Sequence, residues 1–281
     1  MPDLNALLAD LEAEHEALDA LVADLDDEQW DLPTPAEGWS IRDQISHLAF
    51  FDTQARRSIE DPEAFTRDVE EYLTRALTEG EQPTDDVDMG RAMRPADLLA
   101  HWRQERKALV AAGATQDPKR RCPWFGPEMG IASFLTARLM ETWAHGLDVE
   151  DTLGVRREVT DRLAHICHIG IGARPFAYAS RQMEMPDDPI RIEVTLPSGA
   201  LWTWGPEDAA DRITGTALDL AMIVIQRRNP ADTNIQVTGD AATEWIGIAQ
   251  AFAGLPTTNR EAGLFDPIAP SQAHGENVEL P

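Results

Sequence analysis

Four stretches of this chain repeat their apolar residues at the spacing of one helical face, and that repetition restricts the fold more than any other feature. In residues 3 to 26, Leu4, Leu7, Leu8, Leu11, Leu18, Val22 and Leu25 recur with Asp and Glu between them, which predicts a long helix burying one face. Ser40 to Asp43 form a capping box, Ser40 accepting from the first turn and Asp43 reaching back, so a second helix is expected from about 41 to 60. Pro62 opens a shorter acidic helix to about 79, and the EGEQPTDDVD run after it reads as a solvated loop. Pro95 suits a first helical position and opens a segment to Ala112 that Gly113 is expected to terminate. Cys122 to Gly130 reads as a loop, and Ile131 to Leu153 as a long helix stopped by Gly154. Long helices joined by loops predict an antiparallel four-helix bundle over residues 1–155.

The pattern changes after that point. A helix from Glu158 to about Ala173 is expected to end near Pro175, and Ile190, Ile192, Val194 and Leu196 then alternate with polar neighbours as in a half-buried strand. Pro197, Ser198 and Gly199 supply a turn into a second strand, Leu201 to Trp204. A helix at 217 to 228, a strand at 234 to 238 and a helix from Ala241 to Phe252 complete a smaller α+β domain over 156–261, and 262–281 reads as a tail or wrapping segment. The fold class is therefore α+β overall.

Charge narrows the partners. The 24 basic and 50 acidic residues leave a formal net charge of -26, which repels nucleic-acid phosphate and anionic membrane surfaces. A small anionic substrate is still admissible, because one arginine can outweigh the mean field inside a low-dielectric cleft. The acidic start of the chain lacks the order of a signal peptide and no apolar run approaches the roughly 20 residues of a membrane helix, so a cytoplasmic location is expected. Cys122 and Cys167 are expected to be free thiols.

The chemistry concentrates in two helices. In ETWAHGLDVEDTLG, Glu141 and His145 stand one turn apart on one face, a spacing at which both reach one cation or form an ordinary surface pair, and Asp148 continues the stripe. In GWSIRDQISHLAFFD, His47 lies among Ile45, Leu48, Phe50 and Phe51 and is drawn toward the bundle interior, either as a packed core histidine or as a third ligand. His101 with Glu105, and the His165, Cys167, His168 run, are weaker groupings without an obvious third partner.

The two segments together resemble the mycothiol-dependent maleylpyruvate isomerase family, whose N-terminal domain belongs to the DinB-like metal-binding bundles. That resemblance implies a divalent metal, zinc first, on His47, Glu141 and His145, with Asp148 a candidate to orient a ligand or water. Residues 217–254 resemble the family's smaller α+β domain, similar to sterol-carrier-protein folds. An arginine of that domain serves near the metal cleft in the family, which corresponds to Arg228 or the adjacent Arg227, Arg228 being favoured. The implied activity uses mycothiol or a related low-molecular-weight thiol as cosubstrate: the metal stabilises its thiolate, which attacks a small electrophile for isomerisation or S-transfer, while the arginine holds a substrate carboxylate. Two other outcomes are compatible with the same residues, a hydrolase using metal-bound water and a non-catalytic small-molecule or metal-binding protein. The long acidic loop near residues 79 to 90 and the C-terminal tail depart from the family.

Overall fold

The computed structural model describes residues 3–79 and 84–265. They form two compact units, the first reaching Val155 and the second beginning at Arg156.

In the first unit, α1 (Leu4–Val22) starts where the Asp3 side chain accepts from the Asn5 amide. It ends before the predicted residue 26, because Asp26 and Gln29 close a second capping box that turns the chain into α2 (Asp27–Trp30) and buries Trp30. The capping box at Ser40 and Asp43 opens α3 (Ile41–Glu60), and α4 (Pro62–Glu79) follows. The predicted EGEQPTDDVD loop is corrected in part. Residues 80–83 lie outside the described residues, and α5 (Asp85–Arg91) occupies the rest, its three first-turn aspartates complementing the helix N-terminus.

Helix α6 (Pro95–Ala114) runs through Gly113 instead of stopping there. A Cβ at that glycine would meet Leu8 and Leu135 at 3.1 and 3.2 Å, so its role is close packing. The expected loop from Cys122 contains a small hairpin, β1 (Arg121–Cys122) on β2 (Met129–Gly130). Then α7 (Ile131–Leu153) ends at Gly154 in the left-handed conformation, φ 66°.

Helices α1, α3, α6 and α7 pack together as the bundle, with α5 laid against α3. Leu18, Ile41, Ile45, Leu48, Leu98 and Trp102 are fully buried in its core, each aliphatic side chain contributing about 1.5–3 kcal/mol relative to exposure.

In the second unit, α8 (Leu163–Gly172) starts five residues later than Glu158 and ends as expected just before Pro175, which sits in the first turn of a further helix, α9 (Arg174–Ser180), where proline fits. The sheet has the order β4-β3-β5-β6. β3 (Ile190–Thr195) pairs antiparallel with β4 (Leu201–Trp204), placing Ile192 opposite Trp204, and parallel with β5 (Asp211–Thr216), placing Ile192 opposite Ile213. The buried Ile190, Ile192, Val194 and Ile213 form its apolar face, with α10 (Ala217–Val224) packed on β3, β5 and α8. Strand β5 is an element the sequence pattern did not reveal. α10 stops at Val224, four residues short of expectation, where Gln226 takes φ 58° and the chain turns. β6 (Gln236–Thr238) and α11 (Asp240–Ile248) follow, α11 ending before the predicted Phe252. Of the expected tail, residues 266–281 lie outside the described residues. No described helix is long and apolar enough to cross a membrane.

Candidate metal centre

Helix α3 carries His47 and α7 carries Glu141 and His145, and packing of α3 on α7 brings them together. One ligand atom from each lies within 4.8 Å of the other two; among the described residues this is the grouping that could hold a metal ion. His145 is buried, while His47 and Glu141 are half-buried and reachable.

Each imidazole is held from behind. His47 Nδ1 lies 2.7 Å from Asp86 Oδ2, and His145 Nδ1 is hydrogen-bonded to Gln44 Oε1. Asp86 Oδ2 and Gln44 Oε1 are acceptors, so each Nδ1 donates and Nε2 is the ring atom turned toward the cluster. His145 Nε2 lies 3.3 Å from Glu141 Oε2. Burial works to raise the Glu141 carboxyl, but the His145 hydrogen bond and the charges of His145, Arg138 and His47 outweigh it and hold the group at about 2. The Asp86 carboxyl is likewise lowered, burial being overcome by its contact with His47 and by backbone amides.

Aromatic rings wall the cluster. Trp39 stacks on His145 at 5.8 Å between centroids and 14° between planes, and lies 5.2 Å from His47. Phe51 lies 4.6 Å from His47 between ring centroids. Trp39 is placed by the turn before α3, where Thr34 donates its backbone amide to the Trp39 carbonyl at 2.7 Å and Gly38 adopts φ 76°.

Sequence reasoning missed Asp86, Gln44 and Trp39. Gln44 and Trp39 sit in the GWSIRDQISHL segment, Gln44 one turn before His47, so their proximity was available; Asp86 was hidden in a run read as loop. What brings Asp86 in is the seat of α5 on α3. The Gly90 amide donates to Ser46 Oγ at 2.8 Å, and Ser46 Oγ donates to the Asp86 carbonyl. A Cβ at Gly90 would overlap Ser46, so glycine permits that approach. Arg91 also reaches Asp43 at the start of α3, Nε to Oδ1 2.9 Å.

The other candidates fall elsewhere. Asp148 is fully buried on α7. Glu105 is engaged by Arg56, Nη2 to Oε2 2.8 Å, and is not paired with His101 in a cluster. His168 packs edge-on against Trp204, and Cys167 is buried with its thiol pushed up to about 12 by burial. Cys122 is buried and its thiol is raised by burial too. In the second unit, Arg227 and Arg228 sit in the turn after α10. Arg228 is buried, its guanidinium 3.8 Å from the centroid of the Phe265 ring, and Arg227 is partly exposed.

Residues 11–150 match the model of the mycothiol maleylpyruvate isomerase N-terminal domain. Two uncharacterized proteins of Mycobacterium tuberculosis, MT0041 and Rv0036c, are each 43% identical over 261 residues, covering 92% of this chain and 100% of theirs. The crystal structure of the mycothiol-dependent maleylpyruvate isomerase is similar in fold, with a TM-score of 0.52 at 14% identity over 80% of this chain and 90% of that one.

Proposed function

The chain belongs to the mycothiol maleylpyruvate isomerase family, and from that premise we propose that it is a divalent-metal-dependent enzyme that uses mycothiol or a related thiol on a small electrophile. The observation that carries the reading is the convergence of His47, Glu141 and His145 within 4.8 Å with both Nδ1 atoms anchored. Two imidazoles and a carboxylate suit zinc, and three protein ligands leave room for an exogenous one. When bound, such an ion supplies the positive charge that keeps a coordinating thiol deprotonated at neutral pH.

The chain's own residues set that charge. Two neutral imidazoles and one carboxylate contribute a single negative charge, so a divalent ion held by them would retain attraction for a thiolate. Asp86 and Gln44 fix the tautomers and aim the rings, the role of outer partners in metal sites. Trp39 stacks on the His145 ring, and Trp39 and Phe51 both pack against His47 at a tilt, which limits ring rotation. Within the second unit, Arg228 and Arg227 are the groups proposed to hold a carboxylate, a planar guanidinium offering a two-pronged fork.

The test is thiol-dependent turnover. Zinc-reconstituted protein is incubated with electrophilic unsaturated carboxylates, with and without mycothiol, and substrate loss is followed by chromatography. Consumption that needs both metal and thiol supports the reading. Consumption with metal alone marks a hydrolase, and tight apolar-ligand binding without turnover marks a binding protein; either outcome overturns it.

A further inference from the structure

Helices α3 and α4 line an open cavity of about 330 Å³ that includes none of the candidate metal ligands. Phe50, Gln54 and Arg57 stand on α3 at helical spacing, and Asp68, Glu71, Tyr72 and Arg75 follow the same spacing on α4, so each helix contributes one face. Phe125, from the loop between β1 and β2, adds an aromatic ring 5.3 Å from that of Tyr72, and Asp85 of α5 adds a third carboxylate.

The charges on this lining do not balance. Arg57 is paired with Asp68 and Arg75 with Asp85, and Arg57 Nη1 also donates to Gln54 Oε1 at 3.2 Å. Glu71 is the carboxylate left over, with no ion pair among the described residues. The cavity therefore carries one net negative charge, in a chain whose formal charge is -26. The Tyr72 hydroxyl feels the same field: burial raises it, and Asp86 and Asp85 raise it further against the opposing charge of Arg75.

That lining selects among ligands. An anion would meet guanidinium groups already neutralised and a carboxylate that repels it. A divalent metal is disfavoured because Asp68 and Asp85 are committed to arginines, and among the described residues these carboxylates form no metal-sized grouping. A neutral ligand gains nothing from Glu71. One positive charge on an apolar body matches both features, the carboxylate taking the charge and the aromatic rings attracting the cation and packing its body. The wall already uses such a contact once, Arg75 Cζ lying 5.7 Å from the Tyr72 ring centroid.

We propose that this cavity binds a small organic cation, a primary ammonium on an aryl or alkyl body, at a site separate from the metal centre. Its volume is near the lower end of small-molecule pockets, roughly 300–1,000 Å³, which suits a ligand of single-ring size. The inference stands on this cavity alone and does not depend on the thiol-dependent reading.

The probe is phenethylammonium, titrated without zinc into the isotope-labelled full chain and followed by NMR, beside phenylethanol and phenylpropionate as its neutral and anionic counterparts. Glu71→Gln removes the unmatched carboxylate, Glu12→Gln removes the same charge from the exposed side of α1, and Phe125→Leu removes a ring; circular dichroism verifies the fold of each variant. The expected result is saturable shifts confined to α3, α4 and the β1–β2 loop, with the cation bound about fivefold more tightly than the alcohol. Glu71→Gln should erase that preference, Phe125→Leu should weaken the cation about two- to fivefold, and Glu12→Gln should behave as wild type. No saturation by about 10 mM probe, equal affinity for ammonium and alcohol, a preference for phenylpropionate, or a preference for the cation that survives Glu71→Gln or is lost equally in Glu12→Gln would each overturn the proposal. The probe has no thiol and the variants leave the metal ligands in place, so failure here leaves the metal reading intact, and failure of the metal reading leaves this titration interpretable.

Discussion

Two polar clusters lie inside the same bundle, on the same two principal helices, and they are built in opposite ways. Around Asp52 the chemistry is closed. That carboxylate is fully buried and accepts from Arg138 Nε at 3.0 Å and from Trp102 Nε1 at 3.2 Å, with His15 Nε2 3.8 Å away. α1, α3, α6 and α7 each supply one member, so the bundle's helices converge on one anion whose countercharge is Arg138. Around His47 the chemistry is open: two imidazole nitrogens and a carboxylate oxygen converge, and the groups behind them orient rather than neutralise them. Histidines and acids on shared helices thus serve cohesion in one place and ligation in the other. What separates the two is whether a guanidinium stands at the point of convergence.

The largest effect that would break this comparison is loss of the countercharge. Arg138→Met leaves Asp52 buried and uncompensated, and is expected to cost about 3–5 kcal/mol in urea unfolding. A loss below about 1 kcal/mol would mean that the Asp52 cluster is not closed in this sense.

His15 gives the next largest effect, through pH. Burial, opposed by Asp52 but aided by Arg106 and Arg138, brings this imidazole from 6.5 down to about 4. Above pH 6.5 it is neutral in both folded and unfolded chains and contributes no pH dependence. As pH falls from 6.5 toward 4 the unfolded chain takes up the proton first, so stability declines across that window by about 3 kcal/mol and this contribution levels off below it. His15→Asn should remove that part of the slope in denaturation series run at several pH values. An unchanged slope would contradict a neutral, buried His15.

A smaller effect sharpens the other side. Asp86→Asn weakens the grip on His47 without touching a ligand atom, and zinc affinity should fall about 10- to 100-fold at an unchanged unfolding midpoint. Gly90→Ala, by lifting α5 from Ser46, should shift affinity the same way. If competition titrations against a zinc chelator show no change in either variant, Asp86 does not orient His47.

The legibility of these features followed their range in the sequence. The bounds of α7 were readable because Gly154 supplies its own left-handed cap, and the start of α3 because Ser40 and Asp43 close their box within four residues. Glu141 and His145 are related by one helical turn, and the resemblance supplied His47. The Asp52 cluster was not seen, since its four members span residues 15 to 138 and only tertiary packing joins them. Asp86 was concealed because an acidic run with proline and glycine reads as solvated, whereas its seat depends on Gly90 meeting Ser46 across α3. Strand β5 offers few apolar residues to alternate, Ile213 being its buried aliphatic, and its identity comes from parallel pairing with β3.

The central claim is tested most directly by elemental analysis of untagged protein, comparing wild type with His47→Ala, Glu141→Ala and His145→Ala after zinc reconstitution. The account predicts about one ion per wild-type chain and affinity lower by about a hundredfold or more in every variant, with folding retained. Wild-type protein that holds no specific ion, or binding that survives all three substitutions, would contradict it.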